Sequence, residues 1–208
     1  MKHLAPLVCT LLLCAIPVYA QNSKENENNP DYFQFEQDSF KTMAGDQYIK
    51  LSLGAVAPLN FPDVQSLFND NHQLSIGGMG TLGYHTFIFD QVALGFDIGF
   101  GFNVTIGSHI FNYVPILASI TWQPSWKRFE FPLTMNIGGA WEAYNNYNYF
   151  PGLVLKPEAG IHYRIAENWS AGAEVAYMFM PQFCKLYDKG ENFYGQFMTV
   201  SVAARYYF

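Results

Sequence analysis

The sequence predicts an all-β fold: an eight-stranded antiparallel up-and-down transmembrane β-barrel with short periplasmic turns and longer extracellular loops. Three observations carry this. Side chains alternate between apolar and polar over eight separate segments, and charged residues stay off the apolar parity of every one. Most of the segments also reach the ~9–11 residues that a tilted strand needs to cross hydrocarbon. Composition agrees: of 208 residues, 50% are hydrophobic, only 13% charged and 18% aromatic. Such a chain shows apolar groups to lipid and polar groups elsewhere. Its formal charge of −6 offers no basic surface to a phosphate backbone, so nucleic acid is excluded as a partner.

Residues 1–20 read as a cleaved signal peptide. Met1-Lys2-His3 is a short positive start, and Leu4 to Ile16 is an apolar run broken by Pro6. Pro17-Val18-Tyr19-Ala20 then supplies small residues for a cut after Ala20. The apolar run is shorter than the ~20 residues of a spanning helix. A lipoprotein reading at Cys14 is disfavoured by the bulky Leu13 before it. Cys9 and Cys14 leave with the signal, so Cys184 stands alone as a tolerated thiol without an internal disulfide. Residues 21–46 form a periplasmic N-terminal segment. Its first part, 21–30, is Asn- and Glu-rich and reads as disordered. Residues 31–46 add Tyr32, Phe33, Phe35, Phe40 and Met43, which suit an amphipathic stretch on the membrane or under the barrel, or equally a loose tail.

The barrel occupies residues 47–208. Its strands are expected near 48–57, 74–86, 92–106, 113–122, 129–143, 154–165, 169–179 and 193–208. The third shows the pattern best. Leu94, Phe96, Ile98, Phe100, Phe102 and Val104 share one parity, while Ala93, Gly95, Asp97, Gly99, Gly101, Asn103 and Thr105 share the other. Successive strand residues point to opposite faces, whereas a helix would mix these two sets. The polar parity collects Lys50, Asp97, Glu130, Glu142, Lys156, Glu158, Arg164, Glu174 and Arg205. A cationic side chain on a lipid face at mid-membrane costs about 2–4 kcal/mol, which accounts for this segregation. A soluble barrel also alternates, but it carries a heavily charged exterior. Here the polar face is rich in Gly, Ser, Thr and Asn, as in a crowded lumen.

Short inner turns are expected near Asp90, Ser125 and Glu167. Longer outer connections are expected at 58–73, 144–152 and 181–192, with a short one at 107–112. Trp122, Trp126, Phe129, Tyr163, Trp169, Tyr206 and Phe208 fall at inner strand ends. Trp141, Tyr144, Tyr147, Tyr149, Tyr177 and Phe179 fall at outer ends, so two aromatic belts are predicted. Open edges cannot face lipid, so the strands must close.

The last strand carries the sharpest motif. Phe208 is preceded on the same parity by Tyr206, Ala204, Val202, Val200 and Met198. This resembles the C-terminal insertion signal of bacterial outer-membrane barrels, with Val202, Ala204, Tyr206 and Phe208 as its lipid-compatible face. At the level of architecture, residues 47–208 resemble the small eight-stranded outer-membrane barrels of OmpA, OmpX and OmpW type. The resemblance implies an integral protein of a diderm outer membrane, in contact with its lipids, handled by periplasmic chaperones and the barrel-assembly machinery. The first expectation of function is a non-enzymatic surface-exposed barrel whose loops contact lipid, host or partner molecules, with the loop at 144–150 as its best feature.

Little chemistry is legible. Gly78, Gly80 and Gly83 spell a nucleotide-binding pattern, but they lie inside one strand where no helix opens, so no cofactor is expected. His72, His85, His109 and His162 lack metal-ligand spacing. Some eight-stranded barrels are lipid A acylases or deacylases, but Ser108-His109, with Glu142 as an orienting carboxylate, does not reproduce their spaced catalytic motif, and a lipid A-modifying enzyme is not expected. The inward charges are more informative. Eight strands enclose a space that side chains just fill, so Lys50, Asp97, Glu130, Lys156, Glu158, His162, Arg164, Glu174 and Arg205 are expected to pair, Arg205 with Glu174 among them. Tyr144, Tyr147, Tyr149 and Phe150 are candidate loop contacts. The resemblance to OmpW-type barrels implies a runner-up, a narrow passage for small hydrophobic solutes, to which Val56, Met178, Met180, Phe197 and Tyr144 could contribute an apolar lining.

Overall fold

The computed structural model describes residues 42–59, 74–104, 110–144, 147–183 and 193–208. The signal-peptide reading, Cys184, His72 and the Ser108-His109 pair therefore fall outside the described residues. The strands are β1 (Gln47–Pro58), β2 (Gly77–Phe89), β3 (Val92–Val104), β4 (Ile110–Trp122), β5 (Ser125–Trp126), β6 (Phe129–Glu130), β7 (Leu133–Tyr144), β8 (Tyr147–Ala166), β9 (Trp169–Gln182) and β10 (Phe193–Tyr207).

β1 to β4 pair antiparallel in sequence, β4 pairs with β7, β7 with β8, β8 with β9 and β9 with β10, and β1 closes on β10 from Tyr48↔Tyr207 to Pro58↔Phe197. β6 and β7 form one stave against β8, interrupted at Phe131-Pro132. Proline has no N–H to give to the ladder, and here the Phe131 N–H instead reaches the Pro124 carbonyl at 2.9 Å. With that stave counted once, the described strands form a closed eight-stranded barrel. β5 is an extra arm that pairs only with β6 and lengthens one inner turn.

Closure sorts the two parities. On β3, Leu94, Phe96, Ile98, Phe100, Phe102 and Val104 face outward, and Ala93, Asp97 and Asn103 are buried in the lumen. Trp122, Trp126, Phe129, Tyr163, Trp169, Tyr206 and Phe208 make an exposed ring at the inner end, with Phe129 against Tyr163 and Trp169 against Tyr206. Trp141 is exposed toward the outer end. There Phe179 stacks on Tyr194, and the Tyr177 hydroxyl donates to Gln196 Oε1 at 2.6 Å.

Three expectations of element length need correction. The connection placed at 144–152 shrinks to residues 145–146, because β8 begins at Tyr147 and Tyr144 pairs with it. Tyr147, Tyr149 and Phe150 therefore lie in a strand, and Tyr144 ends one, rather than forming a loop. Aromatic residues favour extended backbone, which suits Tyr144 and Tyr147 to strands. β2 starts at Gly77 instead of residue 74 and runs on to Phe89. β4 starts three residues early, at Ile110.

The end of the N-terminal segment is tied to the inner rim. Thr42 Oγ1 donates to the Asp90 carbonyl at 2.8 Å, and the Gly45 N–H to the Phe87 carbonyl at 2.8 Å. Gly45 sits at φ 101, a conformation open to glycine and strained for other residues.

Candidate functional site: the filled lumen

The lumen is divided by chemistry along its axis. Its inner half holds charge. Lys50, projecting from β1, places Nζ 2.8 Å from Glu158, 3.8 Å from Asp97 and 3.9 Å from Glu174. Lys156 Nζ holds the other Glu158 oxygen at 2.8 Å. Arg205 bonds Glu174 at 2.9 Å and, through its second nitrogen, Gln123 at 2.8 Å. Nearer the rim, Arg164 meets Glu130 at 2.8 Å. Its guanidinium lies 3.6 Å from the ring centroid of Tyr207, whose hydroxyl donates to Glu130 at 2.8 Å. Four acids and four bases are thus linked across the barrel, each at most 7% exposed.

The structure brings together all nine residues the sequence nominated for this interior. His162 joins through Nε2, 3.0 Å from Glu174 Oε1. Sequence reasoning missed several partners. His85 Nε2 lies 3.3 Å from Asp97, its Nδ1 3.4 Å from Ser119 Oγ, and its ring stacks on Tyr48 at 4.6 Å. Gln123 donates to the Tyr207 hydroxyl at 3.2 Å. The available signal was parity: Tyr48 shares that of Lys50, and Tyr207 that of Arg205. Polar residues without charge simply carry less weight in a pattern search.

Glycines on facing strands make room for these side chains. A Cβ at Gly83 would overlap the Asp97 carboxylate, and one at Gly95 would enter the His85 ring. Gly83 therefore serves packing, whatever pattern it spells with Gly78 and Gly80.

The outer half is mainly apolar, with Asn103, Glu142 and Gln182 among its buried polar groups. Val56, Met178, Met180 and Phe197, nominated for a hydrophobic passage, are fully buried and cluster with Leu74, Met79, Phe111, Tyr113, Leu117, Ala140 and Val154. The fifth, Tyr144, has its backbone in β7 and its side chain outside what is described, as do Tyr147, Tyr149 and Phe150. Glu142 lies at this level, remote from the ion-pair network. Val202, Ala204 and Tyr206 lie on the outward face of β10, followed by Phe208.

The architecture defines a class: a small eight-stranded transmembrane β-barrel with an apolar outward face. The chain belongs to the protein family whose model matches residues 24–206. It is similar to two uncharacterized proteins of Treponema pallidum (strain Nichols). One is 30% identical over 138 residues, 66% of this chain and 62% of the relative. The other is 25% identical over 112 residues, 50% and 38% respectively. The chain thus spans under two thirds of the length of these relatives. Among solved structures it resembles Neisserial surface protein A (NspA), with a TM-score of 0.62 and 12% identity over 78% of this chain and 98% of that one. It also resembles the outer membrane protein OprG from Pseudomonas aeruginosa, at 0.52 and 10% over 81% and 98%. These likenesses establish the fold of a small outer-membrane β-barrel.

Proposed function

We propose that this is a non-enzymatic integral protein of a diderm outer membrane, closed to ions by its luminal charge network, and that it acts through its outer surface in interaction, adhesion or envelope integrity. The observation that carries the closed reading is the linkage of Lys50, Asp97, Glu130, Lys156, Glu158, Arg164, Glu174 and Arg205 into paired contacts across the inner lumen. Paired buried charges are costly to separate, so the network resists parting for a hydrated ion. In planar bilayers the purified protein is expected to give no stepwise conductance at neutral pH. Regular ionic steps would overturn the closed reading. Export by a cleaved segment 1–20, a periplasmic segment 21–46, and recognition of Val202, Ala204, Tyr206 and Phe208 by the assembly machinery complete the proposal. Host or surface ligands would meet the outer rim, where Tyr144, Tyr147, Tyr149 and Phe150 are the candidate contacts.

A second reading, a passage for small hydrophobic solutes, is favoured by the apolar outer lumen around Val56, Met178, Met180 and Phe197. Ligand-soaked crystals would show density among these side chains, and consistently empty density would count against it.

A further inference from the structure

The luminal charges match four to four, and Glu142 stands outside the match. Its side chain is 2% exposed, yet no Lys, Arg or His nitrogen among the described residues lies within ion-pair distance. One oxygen, Oε2, accepts a hydrogen bond from Gln182 Nε2. The other, Oε1, has no hydrogen-bond partner among the described residues. It rests over Gly152, where a Cβ would overlap it. Two residues further inward on β8 and β9, Val154 and Met180 point into the lumen, followed by Met178, and all three are fully buried. Among the described residues the carboxylate therefore has one amide partner, Tyr113 opposite it on β4, and apolar side chains beneath it.

The ladder beside it stops short of the outer rim. β8 and β9 pair from Ala166↔Trp169 only as far as Leu155↔Phe179 among the described residues. β8 continues outward from there against β7, and β9 against β10. Pro157 and Pro181 stand on this seam, and neither can donate to a ladder.

An ionised carboxylate buried without a counter-charge is strongly destabilising, and a single amide hydrogen bond does not neutralise it. A hard divalent ion would need six or more oxygen ligands, and the described side chains offer Glu142 and Gln182. An ammonium group needs less: one carboxylate, one amide oxygen and an apolar wall for its carbon chain. Methionines suit that wall, since they repack around varied apolar shapes.

We propose that the outer lumen at the β8–β9 seam binds a small amphiphilic amine, its ammonium donating to Glu142 Oε1 and its carbon chain lying on Val154, Met178 and Met180. The site deepens the second reading above, since it rests on the outer lumen admitting small apolar molecules. It adds a charge preference that a purely hydrophobic passage lacks.

The test uses the full barrel in lipid nanodiscs, with hexylammonium and hexanol as probes and saturation-transfer NMR as readout. Wild type is expected to bind hexylammonium about tenfold or more tightly than Glu142→Gln, the scale of one charge-assisted hydrogen bond. Hexanol binding should not change, and probe dissolved in lipid cancels between the two proteins. Equal hexylammonium binding with saturable hexanol binding would overturn the amine site and leave the apolar passage standing. No saturable binding of either probe would overturn both. Ligand-free stability gives a second readout. Glu142→Gln should leave the thermal midpoint unchanged or raised, because it removes an unpaired charge. A large drop would mean that the chain itself supplies the cation, and would overturn the proposal.

Discussion

Arg205 shows how a single luminal residue is held. Its guanidinium bonds Glu174 and Gln123 and lies 5.2 Å from the Tyr48 ring centroid, and the residue is 1% exposed. The contacts come from three separate segments, so the residue links β10 to β9, to β1 and to the segment after β4. Arg205→Ala should cost about 3–5 kcal/mol, because it leaves Glu174 short of a buried counter-charge. The double variant Arg205→Met with Glu174→Leu should recover most of that loss, since apolar packing can replace a buried pair. Urea unfolding in bilayers would measure both. An unchanged midpoint for the single variant would show that the contact contributes nothing. Parity alone turns Arg205 inward, and adjacency of β9 and β10 puts Glu174 in reach. The contact with Gln123, 82 residues away in the chain, had no local signal.

At the scale of elements, the β5–β6 arm is the least regular part of the inner rim. Lys127, in its turn, has φ 56 and is the one non-glycine with positive φ among the described residues. Its Nζ lies 5.3 Å from the centroid of the exposed Trp126 ring. A β-branched residue tolerates this backbone poorly, so Lys127→Val should cost about 1–2 kcal/mol. Lys127→Gly should change stability by about 0.5 kcal/mol or less, as backbone relief offsets unfolded-state entropy and the lost ring contact. Similar losses for the two variants would show that φ is not the constraint. The elements were legible in their alternation, and their ends were less so. In sequence the β7–β8 hairpin reads as a loop, because its Tyr and Asn residues suit a binding loop and a strand equally well. Pairing of Tyr144 with Tyr147 settled the matter, and pairing is a property of two segments together.

For the whole molecule, the outward face should meet hydrocarbon, and depth is the variable that tests this. Ile98 lies midway along β3, and Ile165 lies beside the inner turn before Trp169; both are exposed. Ile98→Lys should cost about 2–4 kcal/mol in a bilayer, and Ile165→Lys about 0–1 kcal/mol. Equal and small costs would indicate a water-facing wall. Urea titration in bilayers of fixed thickness would separate the two cases.

By itself the sequence determined the class of fold, the number of staves and which parity faces outward. The physical reason is that strand side chains alternate strictly, and lipid penalises charge on one face all along the chain. It also determined which charges enter the lumen. Only the tertiary structure decided what those charges do there. Lys50 and Glu158 are 108 residues apart and meet because the barrel closes in one register. The same closure gathers the matched charges in the inner half and leaves Glu142 among methionines in the outer half. Parity places a side chain inside or outside, but depth and cross-lumen reach depend on strand tilt, register and the glycines opposite, which no single segment encodes.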